Sequence, residues 1–178
     1  DSSDANHYFV TTYGTGMLEM YDTVLVKLHL PNNSGLESVV PADPDLYTRT
    51  DGAMYDEQGN LWVLNAGRNV ENIRILTPQG DWKAFHITSK GTRIPFHTPG
   101  EILVDRRNTQ WKWIPLCREN TGLILLKDNG TPGNSKDDAA LFRNEWFDQN
   151  GNQIIPEFIY SLAQDHDNTI WVGTSRGL

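Results

Sequence analysis

The fold is decided by a short pattern near the end of the chain, "DHDNTIWVGTSRGL", residues 165–178. Residues 165–169 have the composition of a tight turn. Residues 170–174 have the composition of a strand, with the large aromatic residue Trp171 near its start. Asn168 tolerates a positive φ, and the carboxylate of Asp165 can accept hydrogen bonds from the backbone of its own turn. The stretch therefore predicts the turn and the second strand of a β-hairpin.

The same pattern occurs twice more, as "DEQGNLWVLNAG" and as "DRRNTQWKWIPL". Each copy places a Trp six residues after an Asp and a Gly or Asn three residues after it. The pairs are Asp56 and Trp62, Asp105 and Trp111, and Asp165 and Trp171, with Gly59, Asn108 and Asn168 in the turns. A degraded fourth copy, "YFVTTYGTGML", has Phe9 in place of the Trp. These aromatic positions are 53, 49 and 60 residues apart, a period typical of a β-propeller.

We therefore predict an all-β chain, a partial β-propeller of about three and a half four-stranded antiparallel blades. The predicted blades are residues 1–46, 47–97 and 98–153, followed by an incomplete blade at 154–178. Because propeller blades pack face to face, we expect Trp62, Trp111 and Trp171 to fill the space between blades instead of forming ligand platforms.

The three hairpin copies resemble the two-component regulator propeller repeat. The resemblance is closest in "IYSLAQDHDNTIWVGTSRGL", good in "GAMYDEQGNLWVL" and looser in "EILVDRRNTQWKW", where Lys112 and Trp113 replace the usual Val-Gly. It implies the extracytoplasmic propeller of a bacterial hybrid two-component sensor, periplasmic or extracellular, of a kind that often senses polysaccharide fragments. The run "FHTPGEILVD…GLILLKDNGTP…DD" is also similar to propellers of a surface component of the type IX secretion system.

An incomplete ring predicts partners for its ends. A bare inner strand exposes backbone donors and acceptors, and each blade buries its faces only against neighbours. We expect those edges to be covered by remaining blades of the same protein, by a second copy of the chain, or by its own N-terminal strands. The net charge of −8 argues against nucleic acid as a partner, and no apolar run is long enough for this segment to span a membrane.

No catalytic or metal-binding motif is found in the sequence, so we expect no catalytic residue, metal or cofactor. The five histidines are scattered without metal-ligand spacing: His7, His29, His86, His97 and His166. His29 and His86 are expected to be exposed on outer strands, and His166 to lie in a turn. Residues 127–138 are interpreted as a long solvated turn instead of a calcium loop, and residues 148–153 as a hairpin turn.

The candidate ligand-binding residues are Arg68, Arg118 and Arg176. They follow the repeated tryptophans by six, seven and five residues, in loops between the second and third strands of successive blades. Such loops share one face of a propeller, so the three guanidinium groups predict a site for carboxylate or phosphate, such as an anionic oligosaccharide. Arginine is also common in exposed turns without a binding role, and this simpler interpretation stays open.

The sequence therefore favours a non-catalytic extracytoplasmic ligand-binding or sensing module. One alternative is a lyase that resembles the antibiotic-cleaving propeller lyases, which would need a histidine with acidic partners on one face. A second alternative is a structural assembly component of a bacterial secretion system that binds no small ligand.

Overall fold

The computed structural model describes residues 4–66, 72–85, 87–89, 92–93, 100–118, 121–134 and 136–177, and the chain divides into two compact units, Asp1–His86 and Ile87–Leu178. The elements of the first unit are β1 (His7–Thr11), β2 (Tyr13–Gly14), β3 (Met17–Tyr21), β4 (Val24–His29), α1 (Pro44–Tyr47), β5 (Thr48–Tyr55), β6 (Leu61–Ala66), β7 (Ile73–Leu76) and β8 (Trp82–Phe85). Those of the second unit are β9 (Thr88–Ser89), β10 (Thr92–Arg93), β11 (Leu103–Val104), β12 (Trp111–Leu116), β13 (Gly122–Lys127), β14 (Ala139–Arg143), β15 (Trp146–Phe147), β16 (Gln153–Ile154), β17 (Ile159–Gln164) and β18 (Ile170–Thr174).

The first unit contains two antiparallel sheets. One has the order β1-β3-β4, and the other has the order β2-β5-β6-β7-β8. Strand β6 lies in the middle of the second sheet, and every residue of it is buried. A core cluster forms around Met17, Leu61 and Val63, and Phe9 packs against it. Phe9, the aromatic position of the degraded fourth copy, is therefore partly buried.

The second unit is built around one four-stranded antiparallel sheet, with the order β11-β12-β13-β14. Strand β13 lies between two neighbours, and its residues 122–126 are buried. Three short hairpins accompany this sheet: β9–β10, β15–β16 and β17–β18. Residues 128–134 and 136–138 lie between β13 and β14, but Asp128 is 1% exposed and pairs with Lys112, so the prediction of a solvated turn is wrong at its start. A turn that begins at Asp148 joins β15 to β16, as the sequence predicts.

The all-β class predicted from the sequence is confirmed. The strand ladders are antiparallel, and the helix found in the described part of the chain has four residues. No helix among the described residues is both long and apolar enough to cross a membrane.

The repeated Asp begins a tight turn in each copy, but the second turn is longer than the other two. The backbone N–H of Asp56 donates to the carbonyl of Asn60 (3.0 Å), and that of Asp165 donates to Thr169 (3.1 Å). The N–H of Asp105 instead donates to Trp111, six residues on (2.9 Å). The second turn therefore contains two more residues, although its sequence aligns without a gap.

This longer turn changes which tryptophan is equivalent. The indole N–H of Trp62 donates to the carboxylate of Asp56 (2.8 Å), and Trp171 donates to Asp165 (2.7 Å). In the second copy the donor to the Asp105 carboxylate is Trp113, at 3.0 Å. The sequence prediction that Trp111 corresponds to the other two is therefore wrong.

The predicted packing role of the tryptophans holds for Trp62 and is wrong for Trp171. Trp62 is fully buried on the central strand β6, whereas the ring of Trp171 is 46% exposed. Trp171 lies on β18 of the two-stranded β17–β18 sheet and lines a pocket, so one side of its ring is not covered. Trp111 is half-buried, and the ammonium group of Lys127 lies 4.8 Å from the centre of its ring.

Candidate functional site

Three tryptophans and one arginine line a pocket of about 450 Å³ in the second unit. We call it the tryptophan pocket, and its members are Trp113, Trp146, Trp171 and Arg176. Ile154 and other apolar side chains complete the lining. The volume lies within the range of small-ligand sites, which typically combine an apolar, aromatic lining with few polar groups.

The aromatic side chains of the tryptophan pocket are held by hydrogen bonds and strand pairing. Trp113 and Trp171 each donate their indole N–H to the carboxylate that begins their own hairpin, Asp105 and Asp165. Trp146 opens the β15–β16 hairpin. Because the N–H edges of two of the rings are anchored, their orientation is set before any ligand arrives, which lowers the entropy cost of binding.

Hydrogen bonding also fixes the charges of the two anchoring carboxylates. Burial alone would raise the pKa of Asp105, but hydrogen bonds from Arg107, Trp113 and Gln164 outweigh burial and hold the pKa well below its usual range. Hydrogen bonds from Trp171 and from the turn backbone lower the pKa of Asp165. Both anchors are therefore ionised at neutral pH, and a charged acceptor strengthens the bond from an indole donor.

Arg176 lies in the turn that follows β18, and this turn is well defined. The N–H of Thr174 donates to the carbonyl of Gly177 (2.9 Å), and the N–H of Arg176 donates to the hydroxyl of Thr174 (3.1 Å). Gly177 has a φ of 108°, which side-chain-bearing residues rarely adopt. Arg176 is exposed, and the ion pairs found among the described residues do not include it.

Arg118 lies beside the same end of the β17–β18 hairpin but does not line the tryptophan pocket. Its guanidinium carbon is 5.9 Å from the centre of the Phe158 ring. The hydroxyl of Thr121 donates to the carbonyl of Glu157 (2.7 Å), and Ser175 accepts a hydrogen bond from the N–H of Glu157 (3.0 Å). The loops that carry Arg118 and Arg176 therefore both attach to the segment at residues 157–158.

Arg68 lies outside the described residues. The face of three arginines therefore stays a prediction. Arg118 and Arg176 lie on loops that both attach to the segment at residues 157–158.

A second candidate site lies in the first unit, and no sequence motif predicts it. His7 Nε2 lies 3.0 Å from one carboxylate oxygen of Glu19, and His29 Nε2 lies 2.8 Å from the other. The three residues come from β1, β3 and β4, one from each strand of the first sheet. They are separated by 12 and 10 residues in the chain, so only the strand register brings them together.

His29 corrects a specific prediction. It lies on the outer strand β4, as expected, but it is 2% exposed and not solvated. Its backbone pairs with Met17, and its ring lies 5.8 Å from Trp82 and 5.9 Å from Phe9. The last residue of an edge strand is buried here because Phe9 of the same sheet and Trp82 of the second sheet pack against its ring.

Burial and hydrogen bonding set the charges of this cluster. Burial lowers the pKa of His29, although its bond to Glu19 opposes that effect. Burial would raise the pKa of Glu19, but the hydrogen bonds from His29 and His7 outweigh it and lower the pKa. Nδ1 of His29 is buried and has no hydrogen-bond partner in the structure. These facts indicate a neutral His29 that donates from Nε2 to an ionised Glu19.

The His7–Glu19 pair partly meets the requirement of the lyase alternative, since a histidine does contact a carboxylate. The pair lies on strands of the first sheet, however, and not on the loops between second and third strands. Among the residues that the structure describes, no group of three or more His, Cys, Asp or Glu side chains could hold a metal ion.

Comparison with known proteins identifies the repeat that contributes Trp171 and Arg176 to the tryptophan pocket. Residues 153–176 match the family model of the two component regulator propeller. The matched segment includes the β17–β18 hairpin, with Trp171 and Arg176 at its second strand and final turn. The resemblance to the two component regulator propeller predicted from the sequence is confirmed.

Solved structures extend the similarity over the whole chain. PorZ, an essential bacterial surface component of the type-IX secretion system of Porphyromonas gingivalis, is 26% identical, with a TM-score of 0.80 over 98% of this chain and 23% of PorZ. The extracellular domain of a protein described as a hybrid two component system from B. thetaiotaomicron is 15% identical, with a TM-score of 0.50 over 96% of this chain and 25% of that domain's chain. The second likeness is one of fold alone. This chain spans about a quarter of the length of both structures, and no curated protein sequence matches it.

Together with the antiparallel sheets, these matches confirm the partial β-propeller class.

Proposed function

We propose that this chain is a non-catalytic ligand-binding part of an extracytoplasmic sensor propeller, and that it binds an anionic oligosaccharide in the tryptophan pocket. The observation that carries the proposal is that Trp113, Trp171 and Arg176 line one pocket. The family match of residues 153–176 supports the sensing role, and the similarity to PorZ, a bacterial surface component, supports the location.

The chemistry of the pocket fits a sugar acid. The apolar C–H face of a pyranose ring can stack on an indole, and the pocket offers large aromatic surfaces whose N–H edges are anchored at Trp113 and Trp171. The guanidinium of Arg176 can form two parallel hydrogen bonds to a carboxylate. A neutral sugar would make only the stacking contact with an indole. We therefore expect the pocket to prefer a sugar that carries a carboxylate.

The lining of the tryptophan pocket also favours binding without catalysis. General acid–base catalysis requires a group that gains or loses a proton near the working pH. Arg176 is the one ionisable residue in the described lining, and an arginine stays protonated throughout that range. The described lining therefore has a group that can hold an anion and no group that can exchange protons with it.

The test is calorimetric titration with trigalacturonate and with neutral galactotriose. We expect binding of the first and weak or no binding of the second. Arg176→Ala should weaken trigalacturonate binding by roughly tenfold, about 1.4 kcal/mol, because one charged contact is lost. Lys136→Ala removes one positive charge from an exposed position between β13 and β14, outside the tryptophan pocket, and serves as the control. Equal loss in both variants, or equal binding of both sugars, would refute the proposal.

Arg118→Ala separates a single-arginine site from the arginine face predicted from the sequence. A loss as large as that of Arg176→Ala supports a ligand that reaches both loops. An unchanged affinity restricts the site to the tryptophan pocket.

A second candidate function is a structural role in a secretion apparatus, supported by the higher similarity to PorZ across 98% of this chain. The gene that encodes the complete protein distinguishes the two candidates. A sensor should continue into a transmembrane segment and a kinase domain, whereas an assembly component should have neither. In the second case trigalacturonate should not bind.

A further inference from the structure

A pocket of about 530 Å³ in the first unit contains the His7–Glu19 pair, and we call it the His7–Glu19 pocket. His7 and Phe9 reach it from β1, Glu19 from β3, and Tyr55 from the end of β5. The β5–β6 turn adds Glu57 to the lining. The pocket therefore draws on both sheets of the first unit, and it is separate from the tryptophan pocket.

Glu19 is held firmly in this pocket. His29 contacts one of its carboxylate oxygens at 2.8 Å, and His7 contacts the other at 3.0 Å. Because each carboxylate oxygen has two lone pairs, each can accept one more hydrogen bond from a ligand. A charged group that is already oriented loses little entropy when a partner binds to it.

Aromatic rings form the wall beside Glu19. The centres of the His7 and Phe9 rings are 5.2 Å apart, and those of Phe9 and Tyr55 are 6.3 Å apart, with both pairs in edge-to-face arrangements. The π faces of such rings carry partial negative charge and attract cations within about 6 Å. Burial raises the pKa of Tyr55, and the charge of Glu19 raises it further, so the phenol stays protonated.

The charges of the described lining are of one sign. The lining includes the acidic residues Glu19 and Glu57 and no Lys or Arg. Lys27 lies opposite Glu19 on β4, but its side chain is exposed and does not line the pocket. Carboxylates beside aromatic rings favour a positively charged ligand and repel the carboxylate ligand proposed for the tryptophan pocket.

We propose that the His7–Glu19 pocket binds a small organic cation, an ammonium or guanidinium group on a short apolar chain. Glu19 pairs with the charge, and the rings of Phe9 and Tyr55 contact the apolar chain and the face of the cation. This site goes beyond the proposed sugar-acid function, because it has the opposite charge and different lining residues.

The experiment compares three probes of similar length on the whole chain: putrescine, 1,4-butanediol and succinate. Calorimetric titration should detect putrescine binding at pH 7.5, with the diol at least about tenfold weaker and no binding of succinate. In the wild-type protein, putrescine should also shift the imidazole ¹⁵N resonances of His7 and His29, because both rings contact Glu19. Failure of putrescine to bind, or equal affinity for the diol, overturns the proposal.

Variants locate the binding site. Glu19→Gln should weaken putrescine binding by roughly tenfold or more, since it removes the charge and keeps an oxygen acceptor. Asp22→Asn is the matched control, because Asp22 lies in the turn after β3, outside the pocket, at a φ of 51° that Asn tolerates. Phe9→Leu tests the aromatic wall without changing the charge and should weaken putrescine more than the diol. An equal effect of Glu19→Gln and Asp22→Asn would show that only net charge matters and would refute the site.

Discussion

The two compact units both hold partly or fully buried carboxylates, but they stabilise them differently. In the first unit, each oxygen of Glu19 has an imidazole nitrogen within 3.0 Å. In the second unit, Lys112 and Asp128 form a 2.7 Å ion pair, and both are 1% exposed. The nearby Asp138 differs, because its two carboxylate oxygens are buried without a hydrogen-bond partner in the structure. Carboxylates in this chain can therefore have a partner for each oxygen, as Glu19 does, or lack hydrogen-bond partners in the structure, as Asp138 does.

This difference predicts opposite responses to pH. Burial lowers the pKa of His29 below 6.5, so the unfolded chain binds a proton that the folded chain rejects, and stability is lost as pH falls below 6.5. Burial raises the pKa of Asp138 from 3.8 to about 7, and the charges of Asp128 and Asp137 add to the rise. The folded chain then holds a proton that the unfolded chain releases, so stability is lost as pH rises from about 4 to about 7.

Other groups oppose these trends within each unit. Asp51, in the first unit, has a pKa raised to about 6 by burial, which acts in the same direction as Asp138. Asp105, in the second unit, has a lowered pKa and acts in the opposite direction. Single variants, read by hydrogen exchange in peptides of each unit, are therefore the way to test the comparison.

The largest effect is expected from Lys112→Met in the second unit. This change leaves Asp128 buried without its cationic partner, and breaking a buried pair costs about 3–5 kcal/mol. Urea denaturation should show the loss, and exchange protection should fall in β12 and β13. The double variant Lys112→Met/Asp128→Leu should recover most of the stability, since it leaves no unpaired charge. A single variant as stable as the wild type would contradict the prediction.

A gain in stability is expected from Asp138→Asn. At pH 8 the wild type holds an ionised carboxylate beside Asp128 and Asp137, and the neutral amide should stabilise the second unit by on the order of 2 kcal/mol. The gain should shrink as pH falls toward 4, where the wild-type carboxyl is protonated. Asp167→Asn, in the exposed turn before β18, controls for net charge. A gain that does not change with pH would argue against titration of Asp138.

Equivalent hairpins should tolerate the loss of their indole N–H differently. Trp62→Phe removes a donor to Asp56 inside the core and should cost about 1–3 kcal/mol, because the carboxylate is left with an unpaired lone pair. Trp171→Phe removes the same bond to Asp165 where water can replace it, and should cost less than about 1 kcal/mol. Thermal unfolding of both variants measures the difference. Equal costs would mean that burial does not determine the strength of this bond.

The smallest effect is expected from His29→Gln. The Gln amide can donate to Glu19 as the imidazole does, but it does not titrate. The first unit of this variant should therefore lose less stability between pH 7 and pH 5 than that of the wild type. Exchange protection in β1, β3 and β4 at the two pH values gives the measurement. If the variant and the wild type respond identically, His29 does not contribute to acid sensitivity.

The hairpins could be predicted because their causes are local. An Asp that binds its own turn, followed by a Gly or Asn that tolerates positive φ, specifies a tight turn without help from the rest of the chain. Gly59 and Asn168 indeed have φ values of 79° and 64°. The same pattern predicted the all-β class, and the Asn150-Gly151 pair predicted the hairpin turn at residues 148–153, where Asp148 accepts bonds from the backbone of Asn150 and Asn152.

The failures concern residues whose surroundings come from distant parts of the chain. Spacing could not distinguish Trp111 from Trp113. A Trp still lies six residues after the Asp in the second copy, but with the longer turn the indole that donates to the Asp105 carboxylate is that of Trp113. The exposure of His29 could not be inferred from its place on an outer strand, because Trp82, 53 residues later, packs against its ring.

By itself, the sequence determined the repeat, its turns and the strand-rich class, since each depends on backbone preferences within a few residues. Only the tertiary structure decided the two candidate sites. The tryptophan pocket combines side chains from the four-stranded sheet and from two hairpins of the second unit, and the His7–Glu19 pocket combines side chains from both sheets of the first unit. Side chains from separate strands meet because of hydrogen-bond register, and register is a property of the folded sheet that no single segment encodes.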